Sequence, residues 1–340
     1  MKTRLFAWVP IWRPWEYQLP KELFERAIND FCNQIPAALF YLDSAVTRAK
    51  VAYTKPSNEI ALVMKSVNHP RYMFDWIRYL KIDFTLEHNR KDFVASNGEE
   101  ITNDFIRSWA PAHGADVLEE LFLLGQLAFP DHLSNMKGGI FSCGTFSGYD
   151  VSELPTHLPW LPHDERGDWP VAKFLSVLDV AQWVDAIGMN WQTNRMARNP
   201  IQRAFAAFTL CVGETSSIPN MTVFTAMQGL EAFYCNGRGD LRKQLSKKSR
   251  IFLGDWDDQK NIVGQLYDMR SRFVHGGFDL PCWKNDLDPD EEQITADRQL
   301  RETADFAQRL LTATLQKCIA EKIISVNWCY EMQCEYAEEA

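Results

Sequence analysis

The sequence predicts an α+β protein: a C-terminal all-α helical bundle joined to an N-terminal domain of mixed strands and helices. Three observations carry this. Apolar residues in the first half alternate or cluster in short runs, the pattern of strands. In the second half they recur at steps of three and four, the pattern of one helix face. Between the halves Pro155, Pro159, Pro162 and Pro170 fall close together around Asp164-Glu165-Arg166-Gly167-Asp168, a composition that suits a linker. The expected division is an N-terminal α+β domain over 1–165, a helical bundle over 170–325 and a tail over 326–340. A chain of 340 residues has room for two domains of ordinary size.

In order along the chain, Leu5 to Trp12, Val46 to Thr54, Glu59 to Lys65 and Ile82 to Glu87 read as strands, and Leu23 to Phe40 and Ala115 to Leu127 as helices. Trp8, Trp12, Trp15, Trp76 and Trp109 make this half rich in aromatics. Core filling accounts for most of them, although tryptophan also dominates binding hot spots. Helical periodicity resumes from Lys173 to Trp191. Pro219-Asn220 opens a helix with Val223, Met227, Leu230 and Tyr234 on one face. Ile262, Leu266, Met269 and Phe273 mark another, with carboxylates for its N-cap in Asp255-Trp256-Asp257-Asp258. A long last helix carries Leu300, Ala304, Ala307, Leu311, Leu315 and Cys318. The acidic run Asp286 to Glu292 precedes it, where carboxylates favour a helix N-terminus.

Composition excludes several classes. With 46% hydrophobic residues, the chain is a folded globular protein rather than a disordered one. No apolar run reaches membrane-spanning length. The apolar start is broken by Pro10 and Arg13, so no leader peptide is expected and the expected compartment is the cytoplasm. Net charge is −9, so nucleic-acid contact requires a local basic patch. The eight cysteines, Cys32, Cys143, Cys211, Cys235, Cys282, Cys318, Cys329 and Cys334, include no Cys-x-x-Cys pair and read as reduced thiols. His157, His163, Asp164 and Glu165 are the nearest approach to a ligand cluster, and a solvated linker is the simpler reading. No metal and no cofactor is expected.

The chemistry concentrates in Arg270-Ser271-Arg272-Phe273-Val274-His275, followed by Gly276-Gly277. Glycine enters the left-handed conformation that ends a helix, which puts His275 at a helix end, where the carbonyl dipole favours imidazolium. Arginine offers a fixed fork of donors that matches a phosphate. A second Arg–His pair, Arg107 and His113, is set aside because Pro111 interrupts it. Between the two bundle helices, six of the thirteen residues from Arg238 to Arg250 are basic. Arg242, Lys243, Lys247 and Lys248 are candidates to track an RNA backbone, against the plainer reading of a solvated helix face.

The run Tyr267-Asp268-Met269-Arg270-Ser271-Arg272-Phe273-Val274-His275-Gly276 resembles the signature helix of HEPN domains, in particular the ApeA-like HEPN group of bacterial defence proteins. Leu230-Glu231-Ala232-Phe233 resembles the helix before it, and the long closing helix also fits. The resemblance covers roughly residues 172–325. It implies a helical bundle that forms a homodimer, a metal-independent endoribonuclease of toxin or anti-phage type, and Arg270 and His275 of two protomers facing one RNA cleft. It also implies an N-terminal sensor for a phage-derived or regulatory ligand. Two residues depart from the pattern. Ser271 stands where Asn, Asp or His is common, so it can hydrogen-bond but carries no charge. Gly277 stands where nucleotidylated members of the family carry Tyr.

RNA contains its own nucleophile, the 2′-OH beside each phosphate, and an imidazole can take its proton or protonate the leaving oxygen. Arg270 would stabilise charge on the phosphate; Arg272 would add a phosphate contact, against the plainer reading of a surface salt bridge, and Glu231 would orient the site, against that of an exposed helical carboxylate. Residues five apart on a regular helix differ by about 140° around its axis. Arg270 and His275 therefore meet only if the last turn unwinds or if two chains share one site. Two alternatives stay open: a non-catalytic HEPN-like module that binds RNA or nucleotide or dimerises, and a structural adaptor in which Arg270 pairs with an acid.

Overall fold

A computed structural model describes residues 1–11, 21–67, 78–89, 102–130, 133, 137–152, 170, 172–189, 196–213, 219–237, 239–254, 261–277 and 291–328. Among the described residues five strands form one antiparallel sheet: β1 (Lys2–Ile11), β2 (Val46–Thr54), β3 (Arg78–Glu87), β4 (Gly138–Ser142) and β5 (Thr145–Val151). Their order across the sheet is β2-β3-β1-β4-β5. On one face Leu5, Ala7 and Val9 of β1 and Leu80, Ile82 and Phe84 of β3 are wholly buried. They lie under α1 (Lys21–Leu42) and α3 (Asn103–Ala128). Helix α1 buries Phe24, Ala27, Ile28, Phe31, Ile35 and Leu39, steps of three and four that keep one stripe on the sheet. Gly114 of α3 is required by close approach, since a Cβ there would stand 2.8 Å from Leu5 Cδ1.

The structure corrects two expectations in this half. Glu59 to Lys65 is not a strand; it lies in helix α2 (Asn58–Val67). Ile60, Val63 and Met64 have helical spacing, and they pack on Trp8 and Phe141 across the opposite face of the sheet. The apolar run is compact enough to suit either period, and packing decides. Pro111 does not break the helix that carries Arg107 and His113, because α3 runs continuously through it. Proline there forgoes one bond, to the Arg107 carbonyl, and Pro111 is itself buried, so packing offsets the loss.

The remaining helices are α4 (Val177–Ala186), α5 (Pro200–Val212), α6 (Pro219–Tyr234), α7 (Leu241–Leu253), α8 (Ile262–Val274) and α9 (Glu291–Ala320). Helix α5 opens with a capping box between Asn199 and Gln202 and has Pro200 in its first turn. It pairs with α6, where a Cβ on Gly229 would stand 2.6 Å from Ala207 Cβ. Helix α9 packs along α6, and the buried Tyr234 hydroxyl meets Thr314 Oγ1 at 2.8 Å.

Buried side chains of the two halves form one continuous core. Gln316 of α9 stitches them, donating to the carbonyls of Leu127 (2.8 Å) and Lys173 (2.6 Å) and accepting from the Lys173 amide (2.9 Å). No described helix is long and apolar enough to cross a membrane. The proline-rich stretch with His157, His163, Asp164 and Glu165, the acidic residues 255–258 and 286–290, and Cys282, Cys329 and Cys334 lie outside the described residues.

Candidate functional site

The Arg270–His275 segment forms the last turns of α8. The Gly277 amide donates to the Arg272 carbonyl at 2.8 Å and Gly276 takes φ +72°, the geometry of a Schellman terminus. His275 is the C-cap residue, with φ −95° and ψ 9°, and its amide donates to the Ser271 carbonyl. The imidazole is exposed. The glycine pair therefore ends the helix as the sequence implies and leaves the imidazole facing solvent.

Arg270 turns the other way. Its Nη2 lies 3.2 Å from Glu231 Oε2 of α6, and both side chains are mostly buried, 23% and 16% exposed. Burial raises the Glu231 carboxyl above its ordinary range, with Arg270 pulling against it. The pair leaves polar capacity over: Glu231 Oε1 and Arg270 Nε are buried without a hydrogen-bond partner. A narrow cleft lined by Asn220, Phe224, Arg270, Phe273 and Leu300 opens beside it. Among the described residues no hydrogen bond or ion pair joins Arg270 to His275. One chain thus separates the two groups, as helical geometry requires. Ser271 is partly exposed. Arg272 is exposed and donates from Nε to the Gly277 carbonyl at 3.1 Å, which braces the helix end.

This end of the bundle also presents apolar surface. Val274, Ile294 and Met221 are exposed, and the half-buried Phe224 and Phe273 rings meet at 6.1 Å. Residues 294–299 of α9 are exposed. Exposed apolar side chains of this size are candidates for an interaction surface.

The basic segment forms α7. Asp240 caps it by accepting from the Lys243 amide at 3.2 Å. Arg242, Lys243, Lys247 and Arg250 line an open groove of about 590 Å³ against Asn261 and Gly264 at the start of α8. Arg242 is tied to Asp268 at 3.2 Å; Lys243, Lys247 and Arg250 make no ion pair among the described residues. Lys248 does not belong with them, which corrects its place among the candidate RNA contacts. It is buried and donates to Asn236 Oδ1 (2.8 Å) and Gln244 Oε1 (2.9 Å) beneath Trp328. Four residues on from Gln244, it falls on the inner face of the helix.

Sequence reasoning missed a polar cluster in the N-terminal half. His113 Nε2 meets Asp43 Oδ2 at 2.5 Å, and His113 Nδ1 meets His88 Nε2 at 2.9 Å. Trp109 stacks on the His113 ring at 4.6 Å. Burial would raise the Asp43 carboxyl, but hydrogen bonds from His113 and the Ala45 amide hold it below its ordinary value. In sequence His113 stood out only beside Arg107, and its partners are 25 and 70 positions away.

Nearby, Glu120 is pushed up to about 7, by burial first and then by the charges of Asp185 and Asp43. An acid whose pKa rises on folding costs stability as pH climbs from its ordinary value of 4.5 to about 7, and the full cost stays above that. Glu120→Gln should therefore stabilise the fold on the order of 3 kcal/mol at pH 8 and leave it little changed at pH 4. Thermal melts at the two pH values check this; an equal effect at both would mean that ionisation of Glu120 is not the cause.

No protein-family model, curated protein or solved structure matches the chain.

Proposed function

We propose that this protein is a metal-independent endoribonuclease of the HEPN type, acting as a homodimer in a toxin or anti-phage role. The observation that carries the reading is the split geometry of α8. An exposed imidazole caps the helix, and one turn earlier an arginine is held by a buried carboxylate that leaves part of its fork unused. Neither group completes a site in its own chain. The exposed apolar residues Val274, Met221 and Ile294 offer a surface on which a second copy would bring two such pairs into one groove, and closed two-fold dimers are the commonest oligomers.

In that groove one His275 accepts the proton of a 2′-hydroxyl, whose oxygen bonds to phosphorus. The bond from phosphorus to the 5′ oxygen breaks, and the partner's His275, as imidazolium, protonates that oxygen. Arg270 takes up the charge gathering on the phosphoryl oxygens. The products are a 2′,3′-cyclic phosphate and a 5′-hydroxyl. The Arg242, Lys243, Lys247 and Arg250 groove would hold RNA backbone away from the reacting phosphate, and Arg272 a phosphate nearer to it. On this reading the protein works in the cytoplasm, and the α+β half takes a regulatory or phage-derived ligand.

The test is cleavage of RNA in excess chelator with analysis of the ends. Cyclic phosphate and 5′-hydroxyl ends are expected, because the internal nucleophile needs no activated water. Cleavage that requires magnesium and leaves 5′-phosphates would refute the mechanism.

One observation favours a second reading, a non-catalytic bundle that binds RNA or dimerises: Arg270 is already paired with Glu231. The two readings separate on whether Glu231 positions the arginine or neutralises it.

A further inference from the structure

Beside the patch where α2 packs on Trp8 and Phe141, the same face of the sheet carries a second arrangement suited to nucleic acid. Strand register places two cross-strand rows side by side: Arg48–Thr85–Arg4, then Lys50–Asp83–Phe6. Their neighbours Leu5, Ala7 and Phe84 turn to the buried face, so these side chains share the other one. Arg4, Arg48 and Lys50 are exposed, and Phe6, Asp83 and Lys81 are half-buried.

Arg4 is held in a fixed plane. Its Nε donates to Asp83 Oδ1 at 3.0 Å and its Nη2 to Asp83 Oδ2 at 2.5 Å, while its guanidinium carbon sits 4.7 Å from the centre of the Phe6 ring. Lys81 approaches the same ring at 5.2 Å. The result is a flat cation, clamped at its edge and backed by an aromatic ring, with more than half of its side chain still exposed. Arg48, Lys50 and Lys81 surround it and make no ion pair among the described residues. Asp83 is spent on Arg4, so the face is positive in a chain of net charge −9.

We propose that this face binds single-stranded nucleic acid, with one base stacked on the Arg4 guanidinium and the flanking phosphates on Arg48, Lys50 and Lys81. Unpaired bases stack on guanidinium planes and aromatic rings, and lysine and arginine alongside supply the backbone contacts. An acidic peptide or a lipid headgroup would satisfy the charges but has no use for a pinned flat shelf. The bidentate clamp lowers the ordering cost of such a contact. The inference stands apart from the α8 chemistry, since it needs neither Arg270 nor His275.

The test is binding. The whole chain carrying His275→Ala, Lys243→Ala and Lys247→Ala is titrated against short fluorescent single-stranded RNA and DNA, with folding checked by circular dichroism. Binding should persist in this background. Arg4→Lys keeps the charge but loses the plane, and should weaken binding about tenfold, the size of one lost stacking contact. Arg48→Ala with Lys50→Ala should flatten the salt dependence by about 1.4, from ~0.7 per phosphate contact on a single strand. A preference for RNA or DNA tells which strand is the natural one. Three results would each overturn the proposal: no binding in this background, unchanged affinity in Arg4→Lys, or equal competition by polyglutamate or phosphatidylserine vesicles. None of them bears on cleavage by the parent chain, which is assayed separately.

Discussion

His275→Ala should lower RNA cleavage at saturating substrate by roughly 10²–10⁴-fold, the usual contribution of a general acid–base, while the melting temperature stays where it was. The side chain is exposed at a helix terminus, and the terminus is made by backbone bonds and by Gly276, so the substitution removes no packing. Single-turnover cleavage and a thermal melt on the same preparation check both halves. Parental cleavage by the variant would remove His275 from the chemistry.

Arg270 behaves differently because it also holds the fold. Arg270→Ala should lower cleavage about 10²–10³-fold through lost charge stabilisation. It also strands the Glu231 carboxylate, 16% exposed, which should cost roughly 1–3 kcal/mol of stability. Adding Glu231→Gln separates the effects. The amide needs no counter-charge, so the double variant should recover most of the stability and none of the activity. If Arg270 were purely structural, the double variant would cleave as the parent does, and Glu231→Gln alone would leave cleavage unchanged.

These two residues also show where the sequence is readable. Gly276-Gly277 predicts the end of α8 because only a left-handed residue closes it that way, and the observed terminus follows. The stripe Ile262, Leu266, Met269 and Phe273 predicts the helix from local periodicity alone. Partners distant in sequence are a different matter. Glu231 stands 39 positions from Arg270; the sequence offered it as a residue to orient the site, but no local pattern named Arg270 as its partner. Asp43 follows α1, His88 follows β3 and His113 lies in α3, so no local pattern joins them. Lys248 looks like its basic neighbours in sequence and differs only in the helix face it occupies. Strands β4 and β5 escaped notice because Gly138, Gly139 and Gly148 dilute their apolar pattern. A short compact run such as Glu59 to Lys65 fits both periods until its packing partner is known.

The central claim is that two chains share one RNA-cleaving groove, and mixing tests it most directly. Dimers of Arg270→Ala keep both imidazoles and no arginine at the site; dimers of His275→Ala keep both arginines and no imidazole. Unfolded together and refolded, the two inactive chains should form mixed dimers that place one arginine and one of the two imidazoles in the same groove, with cleavage partly restored: above the sum of the two chains assayed alone, and below the parent, which has both imidazoles. A mixture that dimerises but stays as inactive as its components, or a parent that cleaves RNA as a strict monomer, would contradict it.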